Sequence, residues 1–179
     1  MNTNIGIKNK SHASKYARQL WLNMLKRVRL HHNYKECTIS DNFKDYKYFE
    51  EWCYSQIGFG VIGYDLDKDL LSKGIAIYSE TTCVFVPKGI NLFLRKVSAC
   101  RGTLPIGVYY DKQYCSYRAQ CRIDGVNKNL GRYSTPEQAF NAYKTAKEQH
   151  AKVLAERYKG MVSCAVVSAL QNYAVNMDD

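Results

Sequence analysis

The first 35 residues contain no acid, although they carry eight basic side chains (Lys8, Lys10, Lys15, Arg18, Lys26, Arg27, Arg29 and Lys35). A stretch so one-sided reads as a basic arm for a polyanion, because each neutralised phosphate releases a counterion and adds affinity. The seven cysteines include no CxxC pair. That argues against a disulfide framework or a zinc ribbon and suits reduced thiols in a cytosol-like compartment. His31, His32, Cys37 and Cys53 are the nearest thing to a metal cluster, and their spacing matches no zinc template. No run approaches the roughly 18 apolar residues of a membrane span, and the N-terminus lacks an apolar signal region. A cytoplasmic protein is therefore expected, with neither a membrane nor a small-molecule substrate as partner. Internal repeats and low-complexity segments are also lacking.

What is present is enough apolar material for a core: 46% of 179 residues, with aromatics at 13%. That length suits one domain or two small ones. The net charge of +10 is blocked along the chain, since residues 36–74 hold eight acids against four bases, whereas 106–159 hold ten bases against five acids. Two positive blocks thus flank a negative one.

Apolar residues at Tyr16, Ala17, Leu20, Trp21, Met24, Leu25 and Val28 predict an amphipathic helix over 14–30 with a basic outer face. A second helix is expected over 43–57, with Ser40 or Asp41 as its N-cap. Residues 64–71 read as a short, half-acidic strand and 82–86 as a β-rich strand stopped by Pro87. A short helix follows over 89–95. After a linker, strands are expected at 107–112, 117–124 and 126–133, with Asp124-Gly125 as the hairpin turn. Thr135 as N-cap, Pro136 at the first helical position and Gln138 as capping-box partner then open a long helix that Gly160 closes. On that helix Lys144, Lys147, Glu148 and Lys152 are expected to be free for solvent or phosphate, and His150 to be structural.

The middle strand carries the strongest functional signal. Side chains alternate across a strand, so Tyr117, Ala119, Cys121 and Ile123 share the face that must meet the helix. Arg118, Gln120 and Arg122 share the other, flanked by Tyr109, Asn127 and Asn129. Arg can make two bonds to guanine and Gln or Asn two to adenine, and a small sheet can enter the major groove. The expected partner is double-stranded DNA, with Lys10 and Lys15 of the basic arm holding phosphates.

Several of these residues carry a resemblance. Gly107-Val108, Tyr117-Arg118-Ala119-Gln120-Cys121-Arg122, Leu130-Gly131-Arg132-Tyr133-Ser134-Thr135-Pro136-Glu137-Gln138-Ala139 and Ala142-Tyr143 resemble the Apetala-type domain of plant ethylene-response factors and phage endonucleases. The likeness covers about fifty residues and implies a three-stranded sheet laid in the major groove. By motif position it implies Tyr109, Gln120, Arg122, Asn127 and Asn129 at the DNA, with Arg118 adjacent. Asn127 and Asn129 stand where the family usually has Arg and Trp.

Residues 21–94 resemble the N-terminal part of phage HNH (His-Me finger) homing-type endonucleases. The matching features are Trp21 with Met24, the aromatic run through Trp52, Gly63-Tyr64-Asp65-Leu66-Asp67-Lys68-Asp69, Tyr78-Ser79, Cys83-Val84-Phe85-Val86-Pro87 and Ile90-Asn91. The resemblance implies a ββα unit gripping Mg²⁺ or another divalent cation through Asp67 and Asn91, with a general base that activates water. Lys68 stands where the catalytic His falls, and Ile75 where relatives tend to carry Asn. An unperturbed Lys titrates near ~10.4, so Lys68 would need a large downward shift to act as a base. Two readings stay open: a Mg²⁺-dependent nickase of the homing-endonuclease type, and a catalytically inactive, sequence-specific DNA-binding protein derived from one, such as a repressor or competitor. If phage-encoded, either would work in the host bacterial cytoplasm.

The expected fold class is α+β: an N-terminal helical region with a degenerate HNH-like hairpin-helix unit, then a three-stranded antiparallel sheet packed on one long helix. The expected boundaries are a basic arm at 1–14, an HNH-like domain at 15–96, a linker at 97–105, an Apetala-type domain at 106–159 and a tail at 160–179 holding a short helix.

Overall fold

The computed structural model describes residues 10–72, 74–95 and 102–177. Among them lie six α-helices and seven short strands, a mixed α+β fold. The strands form two two-stranded ladders and one three-stranded antiparallel sheet. The chain divides into two compact units, one of Met1–Asn91 with Gly160–Val166, the other of Leu92–Lys159 with Val167–Asp179. No helix among the described residues is long and apolar enough to cross a membrane. Residues 1–9 of the expected arm and 97–101 of the expected linker lie outside the described residues, and residues 10–14 open the first helix.

In the first unit, α1 (Lys10–Leu30) buries Ala13, Ala17 and Met24 along one stripe, as the three-and-four spacing requires. Trp21 on its flank donates its indole N–H to the Phe43 carbonyl at 2.8 Å. The single helix expected over 43–57 is two: α2 (Asp41–Lys44), capped by the Ser40 hydroxyl, and α3 (Tyr46–Ser55). Asp45 makes the break, because its backbone is extended (φ −81°, ψ 116°) and its carboxylate accepts the Lys47 N–H at 2.9 Å. An Asp prefers capping a new helix to sitting inside one. Phe43, Phe49, Trp52 and Phe85 fill the core, Phe43 edge-on to Phe49 and Trp52 and Trp52 stacked on Phe85, with Phe43 and Trp52 centroids 4.8 Å apart. Each such ring contributes roughly 1.5–3 kcal/mol through burial. Cys53 and Cys83 are buried among them, and burial pushes both thiols up, Cys83 to about 12.

Two ladders complete this unit. β1 (Thr38–Ile39) runs parallel to β3 (Ile77–Tyr78), a pairing too short to leave a periodic signal. β2 (Tyr64–Asp67) is antiparallel to β4 (Val84–Pro87), which leads directly into α4 (Lys88–Leu94). All four β4 residues are buried.

The second unit holds β5 (Val108–Asp111), β6 (Ser116–Ile123) and β7 (Val126–Tyr133) in that spatial order, backed by α5 (Pro136–Arg157). Val108, Ala119 and Cys121 meet Ala139, Phe140 and Tyr143 in its core. Gly107 is indispensable here: its φ is +77°, and a Cβ would lie 2.1 Å from the Tyr143 ring. Thr135 caps α5 as expected, accepting the Gln138 N–H at 3.3 Å. The Gln138 side chain accepts from the Ser134 hydroxyl at 3.0 Å, a variation on the expected capping box.

Two lysines expected to be free on α5 are not. Lys147 is buried with its ammonium on the Phe93 carbonyl and 3.9 Å above the Phe93 ring, and Lys144 donates to Glu148 and to the Val175 carbonyl. The long alkyl stem lets a lysine at a core-facing position reach a carbonyl. The tail does form a short helix, α6 (Cys164–Gln171).

Candidate nucleic-acid interface

Alternation on β6 holds over its whole length. Ala119 and Cys121 are buried, Tyr117 and Ile123 pack against the same core, and Arg122 is exposed on the opposite side. Arg118 and Gln120 on that outer face are half-buried. Residues directly opposite one another across a ladder share a face, so register defines the rest of the surface. Tyr109 stands beside Arg118, Asn129 beside Gln120, and Asn127 beside Arg122. Tyr109, Asn127 and Asn129 are all exposed. The six residues expected at the sheet therefore converge on one surface.

A seventh joins them. The β6–β7 register slips between Ala119 and Gln120, leaving Leu130 as the extra residue of a β-bulge. Strict alternation from Asn127 and Asn129 would turn Arg132 inward; the bulge lets Leu130, Gly131 and Tyr133 take the inner side and brings Arg132 opposite Arg118. Gly131 makes this permissible at φ +123°, its N–H held by the Asn129 side chain at 3.2 Å. A glycine inside a strand pattern was the available signal for the bulge.

The guanidinium groups are oriented by fixed partners. Arg122 Nε donates to the Gly125 carbonyl at 3.1 Å, which ties it to the hairpin turn. Arg132 lies 3.5 Å from the Asp111 carboxylate and 3.9 Å from the centroid of the Tyr114 ring. At the hairpin's other contact, Arg157 forms two bonds to Asp124 at 2.6 and 2.9 Å, closing the turn against the end of α5. No family model matches this chain, and neither does any curated protein or solved structure. Residue chemistry alone must carry the functional reading.

The second group of expected site residues lies on the β2–β4 ladder. Asp67 is buried at 6% exposure opposite Val84, and its carboxylate accepts the Asp69 N–H at 3.0 Å and the Leu70 N–H at 2.8 Å. This turn ends β2 at Asp67, four residues before the expected end at 71. Burial raises the Asp67 pKa, with the Leu70 amide and Asp69 as opposing smaller influences. Lys68 has a side chain only 11% exposed, paired with the Asp69 carboxylate, its ammonium 5.4 Å from the Tyr34 ring and 5.7 Å from the Tyr78 ring. Burial acts to lower its pKa, but the bond and charge of Asp69, with Cys37 and Tyr34, act the other way, and the net shift is upward. Lys68 is thus held as one half of an ion pair.

Asn91 is half-buried on α4, which leaves β4 at Pro87, the end of the ladder away from Val84 and Asp67. Among the described residues no three His, Cys, Asp or Glu side chains gather. As a Mg²⁺ site these residues fit poorly, because a hard dication wants ionised oxygens facing it, and Asp67 is buried with its Oδ1 held by the Asp69 and Leu70 amides. Lys10 and Lys15 are both exposed on α1. His31 and His32 stack on one another at 5.4 Å.

Proposed function

We propose that this protein binds duplex DNA by laying the outer face of the β5–β6–β7 sheet in the major groove, and that it is a non-cleaving relative of phage homing endonucleases. One observation carries the reading. Arg122, Gln120, Asn127 and Asn129 stand side by side on a helix-backed sheet face, while the alternate positions of the middle strand are buried. Arg matches the two acceptors of guanine, and Gln or Asn the acceptor and donor of adenine. Gly125 holds Arg122 in place, so less side-chain freedom is lost when it meets a base.

The order strand, antiparallel strand, helix in β2, β4 and α4 supports the relation to HNH-type nucleases. The Lys68–Asp69 ion pair and the buried Asp67, whose Oδ1 accepts from its own loop, support binding without cutting. Lys10 and Lys15 supply charge to the phosphates in this reading, and the site of action is the cytoplasm of the bacterial host.

Selection of bound fragments from a random duplex pool, with and without Mg²⁺, tests it. A preferred sequence should emerge that is the same in both conditions. Arg122→Ala should cost about 1–3 kcal/mol and relax one base position. Lys10→Ala or Lys15→Ala should weaken binding to every sequence alike. Equal affinity for random RNA would overturn the DNA reading. Mg²⁺-dependent nicking of supercoiled DNA that vanishes on Asp67→Ala would overturn the non-cleaving part.

A further inference from the structure

The outer face of the sheet is not uniform from end to end. At the end where β5 turns into β6 lies an open depression of about 460 Å³, lined by Tyr109, Asp111, Lys112, Tyr114, Arg118 and Arg132 among others. Those six bring three cations against one carboxylate. The carboxylate is already engaged, since Asp111 is 3.5 Å from Arg132 Nε.

Two side-chain polar atoms at this end are shut off from solvent without a hydrogen-bond partner: Ser116 Oγ and Arg118 Nε. They are two residues apart on β6 and so share the outer face; Ser116 stands opposite Asp111, and Arg118 lies between Tyr109 and Arg132. Buried polar groups are normally satisfied by protein, water or a bound ion, so an unpaired one at an exposed surface calls for a partner. Their grouping at one end of one face gives the missing acceptor a location.

We infer that this end is a seat for one phosphate oxyanion of the nucleic-acid backbone, held by Arg118, Arg132 and Ser116, and that base reading is confined to the end bearing Gln120, Arg122, Asn127 and Asn129. This rests on the proposed sheet-in-groove binding. A phosphate takes bonds from several directions at once, which suits two arginines converging from adjacent strands and a hydroxyl beside them. Arg, Lys, Ser and Tyr are side chains that hold phosphates and fix register without reading sequence. The bulge at Leu130 and Gly131 turns Arg132 to the outer face and so completes the pair. The Tyr114 ring beneath Arg132 presets the plane of its guanidinium.

The test measures affinity of the full chain for a labelled mixed-sequence duplex across a series of KCl concentrations, together with the base preference recovered by selection. Arg118→Gln and Arg132→Gln should each weaken binding several-fold on every sequence and make the plot of log affinity against log salt shallower by about 0.9. Base preference should be unchanged. Arg122→Gln should do the reverse, loosening preference with little change in slope. Arg132→Lys should keep the slope, which separates lost charge from lost folding. Arg132 is exposed, so its variants carry the test should Arg118→Gln unfold the sheet. Altered base preference with an unchanged slope in Arg118→Gln and Arg132→Gln would overturn the phosphate seat and leave the sheet reading standing. Folded variants at Arg118, Arg122 and Arg132 that all bind as the parent does would overturn the sheet reading itself.

Discussion

The two groups of functional-looking residues in this chain have opposite fates. On the β5–β6–β7 sheet, polar side chains point away from the core, and two buried polar atoms, Ser116 Oγ and Arg118 Nε, remain unpaired. On the β2–β4 ladder, two polar side chains bond within their own loop: Asp67 Oδ1 holds the amides of Asp69 and Leu70, and Lys68 pairs with Asp69. Both groups carry residue types suited to chemistry on nucleic acid. The difference lies in exposure: Tyr109, Arg122, Asn127, Asn129 and Arg132 stay exposed alongside their local bonds, whereas Asp67 is buried and the Lys68 side chain is only 11% exposed.

The comparison breaks most visibly if the sheet does not depend on its backbone geometry. Gly107→Ala forces a side chain at φ +77° and into the Tyr143 ring, and should destabilise the sheet unit by about 3 kcal/mol. Thermal unfolding of the full chain should show it as a lowered first transition, with DNA affinity lost at that transition. An unchanged unfolding curve would mean that the ring moves aside freely and that the sheet platform is less fixed than its packing implies.

A smaller effect sharpens the other side. Asp67→Ala leaves two turn amides without their acceptor and should cost roughly 1–2 kcal/mol, while DNA affinity stays at the parent value. Asp67→Asn retains an acceptor oxygen and should recover most of the loss. If Asp67→Ala were instead fully stable, its carboxylate would be free for another purpose, and the contrast between the two regions would fail.

The sheet was legible in the sequence because its signals are local and agree with one another. The alternation of residues 117–123, the Asp124-Gly125 turn and the Thr135-Pro136 helix start each fix a boundary within a residue or two. Arg132 escaped because a bulge reverses side-chain parity, and only Gly131 hinted at it. The first unit was harder to read. Its parallel pairing of Thr38–Ile39 with Ile77–Tyr78 joins residues far apart in sequence over two positions each, below any periodic signal. Lys147 was misplaced for a different reason: charge suggested solvent, whereas its position on α5 faces the core and Phe93 supplies a carbonyl and a ring. The partners of Asp67 and Lys68 are set by the turn that follows β2, which strand periodicity does not reveal.

The mildest expected effect concerns pH and touches the sheet unit alone. His150 is buried on α5 with its ring edge-on to Phe93 at 5.5 Å and its Nε2 3.8 Å from Asp124. Burial lowers its pKa, the Asp124 charge opposes that, and Arg157 and Lys147 reinforce it, for a net downward shift. The folded protein thus binds fewer protons at this site than the unfolded chain, whose imidazole titrates near ~6.5. The stabilisation is fully present above that value and is lost as pH falls through the lower folded-state pKa. Asp124 and Glu148, both shifted downward, add a loss of the same sign only in the more acidic carboxylate range. Melting temperature measured from pH 8 downward should therefore begin to fall near pH 6.5, and His150→Gln should delay that fall to the carboxylate range. A parent protein whose melting temperature held steady to pH 5 would show that the imidazole accepts its proton without cost, with Asp124 as its counter-ion.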